Sequence, residues 1–182
     1  ALLVEPAPGL PARDPKGDTD DDVARVTAAL SKVADRLDAR ALEADPSAIG
    51  VLMATAMMAR DPGLTSSVRT HLEEGDGPAH ALWGAIDDFC AQLTAAGGYL
   101  AERVTDLHNV RDRALAVLQG LPEPGVPAFD SPVILVAEDL APADTATLDP
   151  ELVRGLVTAA GGPTSHTAIL AAQIGIPAVV RC

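Results

Sequence analysis

A regular spacing of apolar side chains predicts a first long helix after the proline-rich amino terminus. From Thr19 onward, apolar residues recur three and four positions apart, at Val23, Val26, Leu30, Val33 and Leu37. Thr19 is the expected cap, and the three aspartates after it suit the positive end of a helix dipole. The pattern predicts an amphipathic helix whose apolar face packs against other helices.

Further helical segments follow, separated by short connections that contain glycine or proline. A second helix is predicted from about Pro46, and Asp61-Pro62-Gly63 ends it. A short helix comes next, and a long one begins at Pro78. The last is predicted over residues 99–119, with an inward face formed by Leu100, Val104, Leu107, Ala114 and Leu118. Short connections of this kind favour an antiparallel helical bundle over residues 19–120.

The period changes after a proline-rich linker at residues 121–132. Residues 133–136 form a continuous β-branched and apolar run, which is typical of a buried strand. A second strand is predicted at residues 153–157, a helix at 164–174 and a third strand at 176–180. Strand, helix and strand at these distances form a βαβ pattern.

The predicted fold class is therefore α + α/β, with an antiparallel helical bundle inserted in a small βαβ subdomain. Residues 1–4 are expected to end a strand, so that residues 1–18 begin the α/β part. Residues 19–120 form the helical part, and residues 121–182 return to the α/β part.

Charge and composition exclude several classes of function. The chain carries 26 acidic and 13 basic side chains, a net charge of −13, which disfavours nucleic acid and anionic membranes as partners. No apolar segment is long enough for a membrane helix, and residues 1–11 lack a basic leader, so we expect a cytoplasmic protein. Cys90 is expected in the core, and His71, His80 and His108 lack the spacing of a metal site.

The segment with the clearest chemistry is the run from Gly161 to Leu170. Two glycines permit a tight turn, Thr164 and Ser165 are capping residues, and His166 falls in the first turn of a helix. A helix amino terminus offers free N–H groups and partial positive charge, which suit a phosphate and keep an imidazole neutral. A neutral imidazole is a competent nucleophile. These residues indicate either a phosphohistidine or a capped helix with a polar surface histidine.

The same run resembles the phosphohistidine signature of phosphoenolpyruvate-utilising enzymes. The matching residues are Gly161-Gly162, Thr164 to Leu170, and Gly175 to Val180. The helical segment resembles the subdomain found in Enzyme I of the bacterial sugar phosphotransferase system, through Met57-Met58 before Asp61-Pro62, and through residues 99–103 and 110–113. By this resemblance, the chain is the amino-terminal phosphohistidine and carrier-binding half of Enzyme I, a phosphoenolpyruvate-protein phosphotransferase.

The resemblance implies a role for each matching residue. His166 would accept a phosphoryl group from phosphoenolpyruvate on Nε2 and pass it to the histidine-containing phosphocarrier protein for sugar uptake. Thr145 would hydrogen-bond the other ring nitrogen, within a swivelling phosphohistidine subdomain. The phosphate would contact Thr164, Ser165 and Thr167, and the carrier would dock on Met57, Met58, Leu64, Tyr99 and Arg103. By spacing alone, Met57 is more typical of a helical core than of a docking surface.

Two departures from the family pattern concern the charge of the phosphoryl group. Family members often have arginine at the positions of Pro163 and Ala172. Backbone dipoles or another arginine such as Arg154 would then have to balance that charge, or transfer would be weaker. The carrier would be steered by an acidic helical surface, since residues 19–119 hold 16 acids and 9 bases.

The resemblance also implies a longer protein, and two other functions stay open. We expect the chain to be truncated, with a barrel that binds phosphoenolpyruvate and magnesium missing, and without that barrel it should not use phosphoenolpyruvate. No cofactor or metal is expected in this chain, which should be a monomer, whereas the full-length protein would be a homodimer. The alternatives are the central domain of a pyruvate phosphate dikinase or phosphoenolpyruvate synthase, and a non-catalytic carrier-docking module.

Overall fold

The computed structural model describes most of the 182-residue chain. The residues outside the description are Asp45, Ala128, Asp139, 141–143, 145–147, Gly161, 163–165 and Cys182, and only the backbone is described at Glu43, Ser47, Ala48, Tyr99, Glu102, His166 and Leu170. The described helices are α1 (Thr19–Glu43), α2 (Pro46–Ala59), α3 (Pro62–Glu74), α4 (Pro78–Ala96), α5 (Gly98–Glu102), α6 (Val104–Gln119) and α7 (His166–Gln173). The strands are β1 (Leu2–Leu3), β2 (Val133–Ala137), β3 (Val153–Thr158) and β4 (Ala178–Val180).

Helix α1 begins where its apolar stripe predicts, but its cap is one residue earlier. Asp18 has extended backbone angles, and its carboxylate accepts hydrogen bonds from the N–H groups of Asp20 at 2.9 Å and Asp21 at 3.3 Å. A carboxylate at this position satisfies two otherwise unpaired donors and faces the positive end of the dipole. The prediction of Thr19 as the cap is therefore wrong.

The helices bury one contiguous apolar core. The stripe residues Val26, Leu30, Val33 and Leu37 of α1 are at most 2 % exposed, and they pack with residues of α2, α3, α4 and α6. Cys90 lies in this core, as predicted. The four α1 residues lie on the same side of the helix because positions three and four apart share one face.

The helix predicted over residues 99–119 is divided in two. It breaks at Arg103, between the short α5 and the longer α6. Leu107 and Ala114 of α6 are buried as expected, but Leu100 lies on α5 and is 46 % exposed. Leu100 therefore does not belong to the inward face, because the spacing argument assumed one continuous helix.

The four strands form one parallel sheet in the order β1-β2-β3-β4. Leu135 and Leu156 occupy matching positions on β2 and β3, and they form a second apolar core with Ala171 of α7 and Ile176. The prediction of helices combined with a small α/β part is confirmed, whereas the antiparallel order of the helices stays a prediction. Within the part of the chain that is described, no helix has both the length and the apolarity to cross a membrane.

Candidate functional site

Helix α7 begins at His166, beyond the carboxyl end of β3. In a parallel sheet the loops that follow neighbouring strands meet at the same edge, which is the usual position of a ligand site. Here two backbone hydrogen bonds join the loop after β3 to the loop after β2: Ala159 N–H to the carbonyl of Ala137 at 3.1 Å, and Ala160 N–H to that of Glu138 at 2.7 Å. The fold therefore brings the loop that leads to His166 against the loop that leads to residues 145–147.

The first turn of α7 is also tied to the loop after β2. Thr167 is 3 % exposed, and its hydroxyl donates a hydrogen bond to the carbonyl oxygen of Leu140 at 3.2 Å. That hydroxyl joins the two elements, and the contact between Thr167 and a phosphate stays a prediction. The first N–H groups of a helix have no partner within the helix and are suited to that contact.

The other predicted residues of the histidine site fall outside the description. Thr145, Thr164 and Ser165 are not among the described residues, and neither is the side chain of His166. Their roles stay predictions. Pro163 is likewise outside, whereas Ala172 lies on an exposed face of α7.

Arg154 lies near the amino end of β3, whereas His166 follows the carboxyl end of that strand. Arg154 is the second residue of β3, and β3 runs from Val153 to Thr158 before the chain turns towards α7. Thr158 is four positions further along the strand than Arg154, which is roughly 13 Å. The suggestion that Arg154 balances the phosphoryl charge stays a prediction, and the position of Arg154 near the amino end of β3 does not favour it.

A cluster of charged side chains connects the helical part to the loop after β2. Arg113 of α6 is 1 % exposed and donates hydrogen bonds to Asp144 at 2.6 Å, to Glu123, and to the side-chain oxygen of Asn109 at 2.8 Å. Arg40 of α1 contacts the same two carboxylates, at 3.3 Å from Glu123 and 3.5 Å from Asp144. We refer to Arg40, Arg113, Glu123 and Asp144 as the buried ion cluster.

Burial dominates the electrostatics of this cluster. It raises the pKa of Asp144, although the positive charges of Arg113 and Arg40 oppose the rise. Burial also lowers the pKa of Arg40, and the neighbouring charge of Arg113 adds to that effect. The positive charges of Arg113 and Arg40 therefore offset part of the cost of burying the Asp144 carboxylate.

Sequence reasoning missed the buried ion cluster. In the sequence, Arg113 belongs to residues 110–113, which resemble the helical subdomain of Enzyme I, and a lone arginine beside an apolar stripe normally faces solvent. Its partners Glu123 and Asp144 lie 10 and 31 residues away along the chain. No local pattern joins residues at those separations.

The residues predicted to dock a carrier are placed very differently from one another. Met57 is 73 % exposed on α2, so the core position that its spacing favours is wrong. Met58 is half-buried against the helical core, and Arg103 forms an ion pair with Asp106 at 3.0 Å.

Leu64 has no exposed surface, because it faces the helical core from α3 together with Val68 and Leu72. Its assignment to the docking surface is therefore wrong; the side chain of Tyr99 is not described.

Sequence reasoning also missed a neighbour of Met57 on the surface. Met53 is one helical turn away on α2 and is 52 % exposed. Two exposed methionines at this spacing form an apolar and adaptable patch. We refer to Met53 and Met57 as the methionine pair.

Metal ligands do not converge anywhere within the described residues. No group of three or more histidine, cysteine, aspartate or glutamate side chains comes together there in a way that could hold an ion. His71 and His80 instead pair with Asp88 and Asp14, respectively.

Two family models match the chain. The amino-terminal domain of PEP-utilising enzymes matches residues 2–103, and the mobile domain of PEP-utilising enzymes matches residues 129–182. The second match contains β2, β3, α7 and β4, and therefore His166 and both loops at the edge of the sheet.

Curated relatives and solved structures agree with these matches. Over 180 residues the chain is 48 % identical to a phosphoenolpyruvate-protein phosphotransferase of Streptomyces coelicolor, covering 99 % of this chain and 32 % of that protein. A protein of the same name from Lactococcus lactis is 33 % identical, over 98 % of this chain and 32 % of the relative. The chain thus spans about a third of the length of these relatives.

A solution NMR structure of Enzyme I superposes on the whole chain with a TM-score of 0.84 and 29 % identity, covering 76 % of that structure. An amino-terminal domain of nitrogen Enzyme 1 superposes over 99 % of this chain and 77 % of its own with a TM-score of 0.66. At 24 % identity, that second likeness shows the fold alone. Because one family model covers more than half of the chain and the other covers three of the four strands, the chain belongs to the family of PEP-utilising enzymes and is similar to the amino-terminal part of Enzyme I.

Proposed function

We propose that this chain carries a phosphoryl group on His166 and exchanges it with the histidine-containing phosphocarrier protein, as one step of sugar uptake by a phosphotransferase system. One observation carries the proposal: His166 opens helix α7 at the carboxyl edge of a parallel sheet, within the segment that matches the mobile domain of PEP-utilising enzymes. The names of the relatives, phosphoenolpyruvate-protein phosphotransferase, support it. The proposal includes a cytoplasmic location and a monomeric chain.

The chemistry requires a neutral imidazole. In transfer from the carrier, Nε2 of His166 attacks the phosphorus atom while the bond between phosphorus and the carrier's histidine nitrogen breaks, and the electron pair of that bond returns to the carrier's ring. The amino end of α7 disfavours a positive charge on the ring, which keeps the attacking lone pair free. Thr145 would orient the ring by bonding its other nitrogen, so that donor and acceptor are in line.

The phosphoryl charge would be balanced mainly by backbone N–H groups. Pro163 and Ala172 carry no charge, and Arg154 lies near the amino end of β3. The N–H groups at the amino end of α7 would then be the donors. Thr164 and Ser165 are proposed to add their N–H groups or hydroxyls.

The docking surface is proposed to include the methionine pair on α2. Met57 and Met53 are exposed large apolar side chains one helical turn apart, and apolar side chains that adjoin on a surface can mark an interaction site. Met58, Tyr99 and Arg103 complete the proposal, and Leu64 is not part of it. A flexible thioether surface suits a partner that must bind, exchange a phosphoryl group and leave.

Reverse transfer tests the proposal without phosphoenolpyruvate or magnesium. Phosphocarrier protein is phosphorylated by a full-length phosphotransferase, purified, and incubated with the chain, whose intact mass is then measured. We expect the mass of one acid-labile phosphoryl group on the wild-type chain and on a His108→Ala control, and none on His166→Ala. A folded wild-type chain that binds the carrier but gains no phosphoryl group would instead indicate a non-catalytic docking module.

A further inference from the structure

The loop after β2 is held from two sides. On one side, Arg113 of the helical part bonds Asp144 at 2.6 Å. On the other side, Thr167 of α7 bonds the carbonyl of Leu140 at 3.2 Å, and Ala160 N–H bonds the carbonyl of Glu138 at 2.7 Å. Contacts at Asp144 therefore join this loop to α6, and contacts at Leu140 join it to the residue that follows His166.

The ion pair between Arg113 and Asp144 is better suited to positioning the loop than to stabilising the fold. Arg113 is 1 % exposed and the side chain of Asp144 6 %, so both charges lose their hydration when the chain folds. Burying two charges costs free energy that their attraction offsets only when the geometry is good, and apolar residues of similar size often stabilise a fold as well or better. What a planar guanidinium adds is direction, since it fixes two carboxylates and an amide oxygen at defined angles.

The cluster also joins the two parts of the chain that must come together while the carrier transfers its phosphoryl group. Arg40 and Arg113 belong to helices α1 and α6 of the helical part, which also contains the proposed docking surface. Asp144 lies four positions after Leu140, whose carbonyl accepts the hydrogen bond of Thr167 in α7. Glu123, in the linker between α6 and β2, bonds Arg36 at 2.9 Å as well as the two arginines of the cluster.

We infer that Asp144 and Arg113 are positioning residues for phosphoryl transfer: they hold the loop after β2, which Thr167 joins to α7, so that the start of α7 meets the docked carrier in line. The inference rests on the proposed function. Neither side chain touches the phosphoryl group, and both act through the loop. Their loss should therefore lower the rate of transfer while leaving carrier binding in place.

The test compares Asp144→Asn and Arg113→Lys with Asp22→Asn as a matched control. Asn keeps the size of aspartate without its charge, and Lys keeps the charge of arginine without its planar fork. Asp22 is also a buried aspartate, paired with Arg25 at 3.1 Å and with Gly17 N–H at 2.6 Å, but it lies in α1 away from the loop. Transfer from phosphorylated carrier is followed by rapid quench, well below the Tm of each variant.

Positioning predicts a specific division of the effects. We expect kcat to fall at least tenfold in Asp144→Asn and in Arg113→Lys, with KM for the carrier changed less than twofold. The nitrogen NMR signals of the His166 ring should shift in both variants. Asp22→Asn should lower the Tm without changing kcat or those signals.

A double variant, Arg113→Met with Asp144→Leu, separates positioning from stability. Two apolar side chains remove both charges together, so this variant should fold even where a single variant does not. We expect its Tm to be near that of the wild type and its kcat to remain at least tenfold low. A kcat that returns with the Tm would overturn the inference and leave the pair a purely structural one.

The outcomes also distinguish this inference from the function on which it rests. If the wild-type chain accepts no phosphoryl group, both are rejected. If the wild type accepts one and the folded Asp144→Asn and Arg113→Lys chains accept it equally fast, only the inference is rejected.

Discussion

Two residues that the sequence places on the same docking surface should behave in opposite ways when truncated. Leu64 has no exposed surface, whereas Met57 is 73 % exposed. Leu64→Ala removes three buried carbon atoms, which at about 0.8 kcal/mol each amounts to about 2.4 kcal/mol of lost transfer free energy. The cavity left behind brings the expected loss of stability to about 3–5 kcal/mol. Met57→Ala removes exposed atoms and should change the free energy of unfolding by less than about 0.5 kcal/mol.

Thermal unfolding followed by circular dichroism measures the first effect. For a chain of this length, 1 kcal/mol corresponds to about 2–4 °C, so Leu64→Ala should lower the Tm by at least about 6 °C. Leu42→Ala is the matched control, because Leu42 is 89 % exposed on α1. It should leave the Tm within about 2 °C of the wild type.

Calorimetric titration with unphosphorylated carrier measures the second effect. If Met57 fills a pocket on the carrier, its truncation should cost about 1 kcal/mol of binding free energy, a fivefold or larger increase in Kd. A Leu64→Ala chain that keeps its Tm but loses carrier binding would refute the burial argument. An unchanged Kd in Met57→Ala would refute the docking surface.

Three further predictions follow from local geometry. A Cβ at Gly77 would lie 1.9 Å from the backbone carbonyl oxygen of Asp14, so Gly77→Ala should lower the free energy of unfolding in urea by about 1–3 kcal/mol. Gly9→Ala is the control and should not lower it, because a Cβ at Gly9 has no atom within 4 Å. Burial opposes the charged form of His71, but its hydrogen bond to Asp88 and that residue's charge outweigh burial and raise the pKa. A raised pKa stabilises the fold fully at pH values below the unfolded pKa of about 6.5, and this contribution disappears as pH rises through the folded pKa. In urea unfolding, His71→Gln should therefore lower the free energy of unfolding by up to about 1 kcal/mol near pH 5.5 and by less near pH 8.5. Burial raises the pKa of the Cys90 thiol, so peptide mapping after alkylation should find Cys90 labelled only when the chain unfolds.

Elements set by local patterns could be predicted from the sequence. The apolar stripe from Val23 to Leu37 predicts α1, and the apolar run at residues 133–136 predicts β2. Each depends on neighbours a few residues apart, whose relation the backbone period fixes. Two predictions were wrong for local reasons. Asp18 and Thr19 can both cap a helix, and the structure uses Asp18. Leu100 is exposed because the helix is interrupted at Arg103.

Contacts between distant segments could not be predicted. Leu64 was assigned to the surface by resemblance, but α3 packs that face of its helix into the core. Arg113 and Asp144 are joined by packing between a helix and a loop 31 residues later, and sequence periodicity carries no information on that. Within the histidine site, the segment itself was recognisable from its glycines and caps, whereas the bond between Thr167 and Leu140 depends on the fold of the sheet edge.

The central claim is that His166 carries the phosphoryl group on Nε2. The most direct test is nitrogen and phosphorus NMR of the chain, labelled with 15N in its four histidines and phosphorylated by the carrier. The account predicts one phosphorylated ring, assigned to His166 by its absence in His166→Ala, with the coupling to phosphorus at Nε2. Phosphorylation at Nδ1, or at His71, His80 or His108, would contradict it.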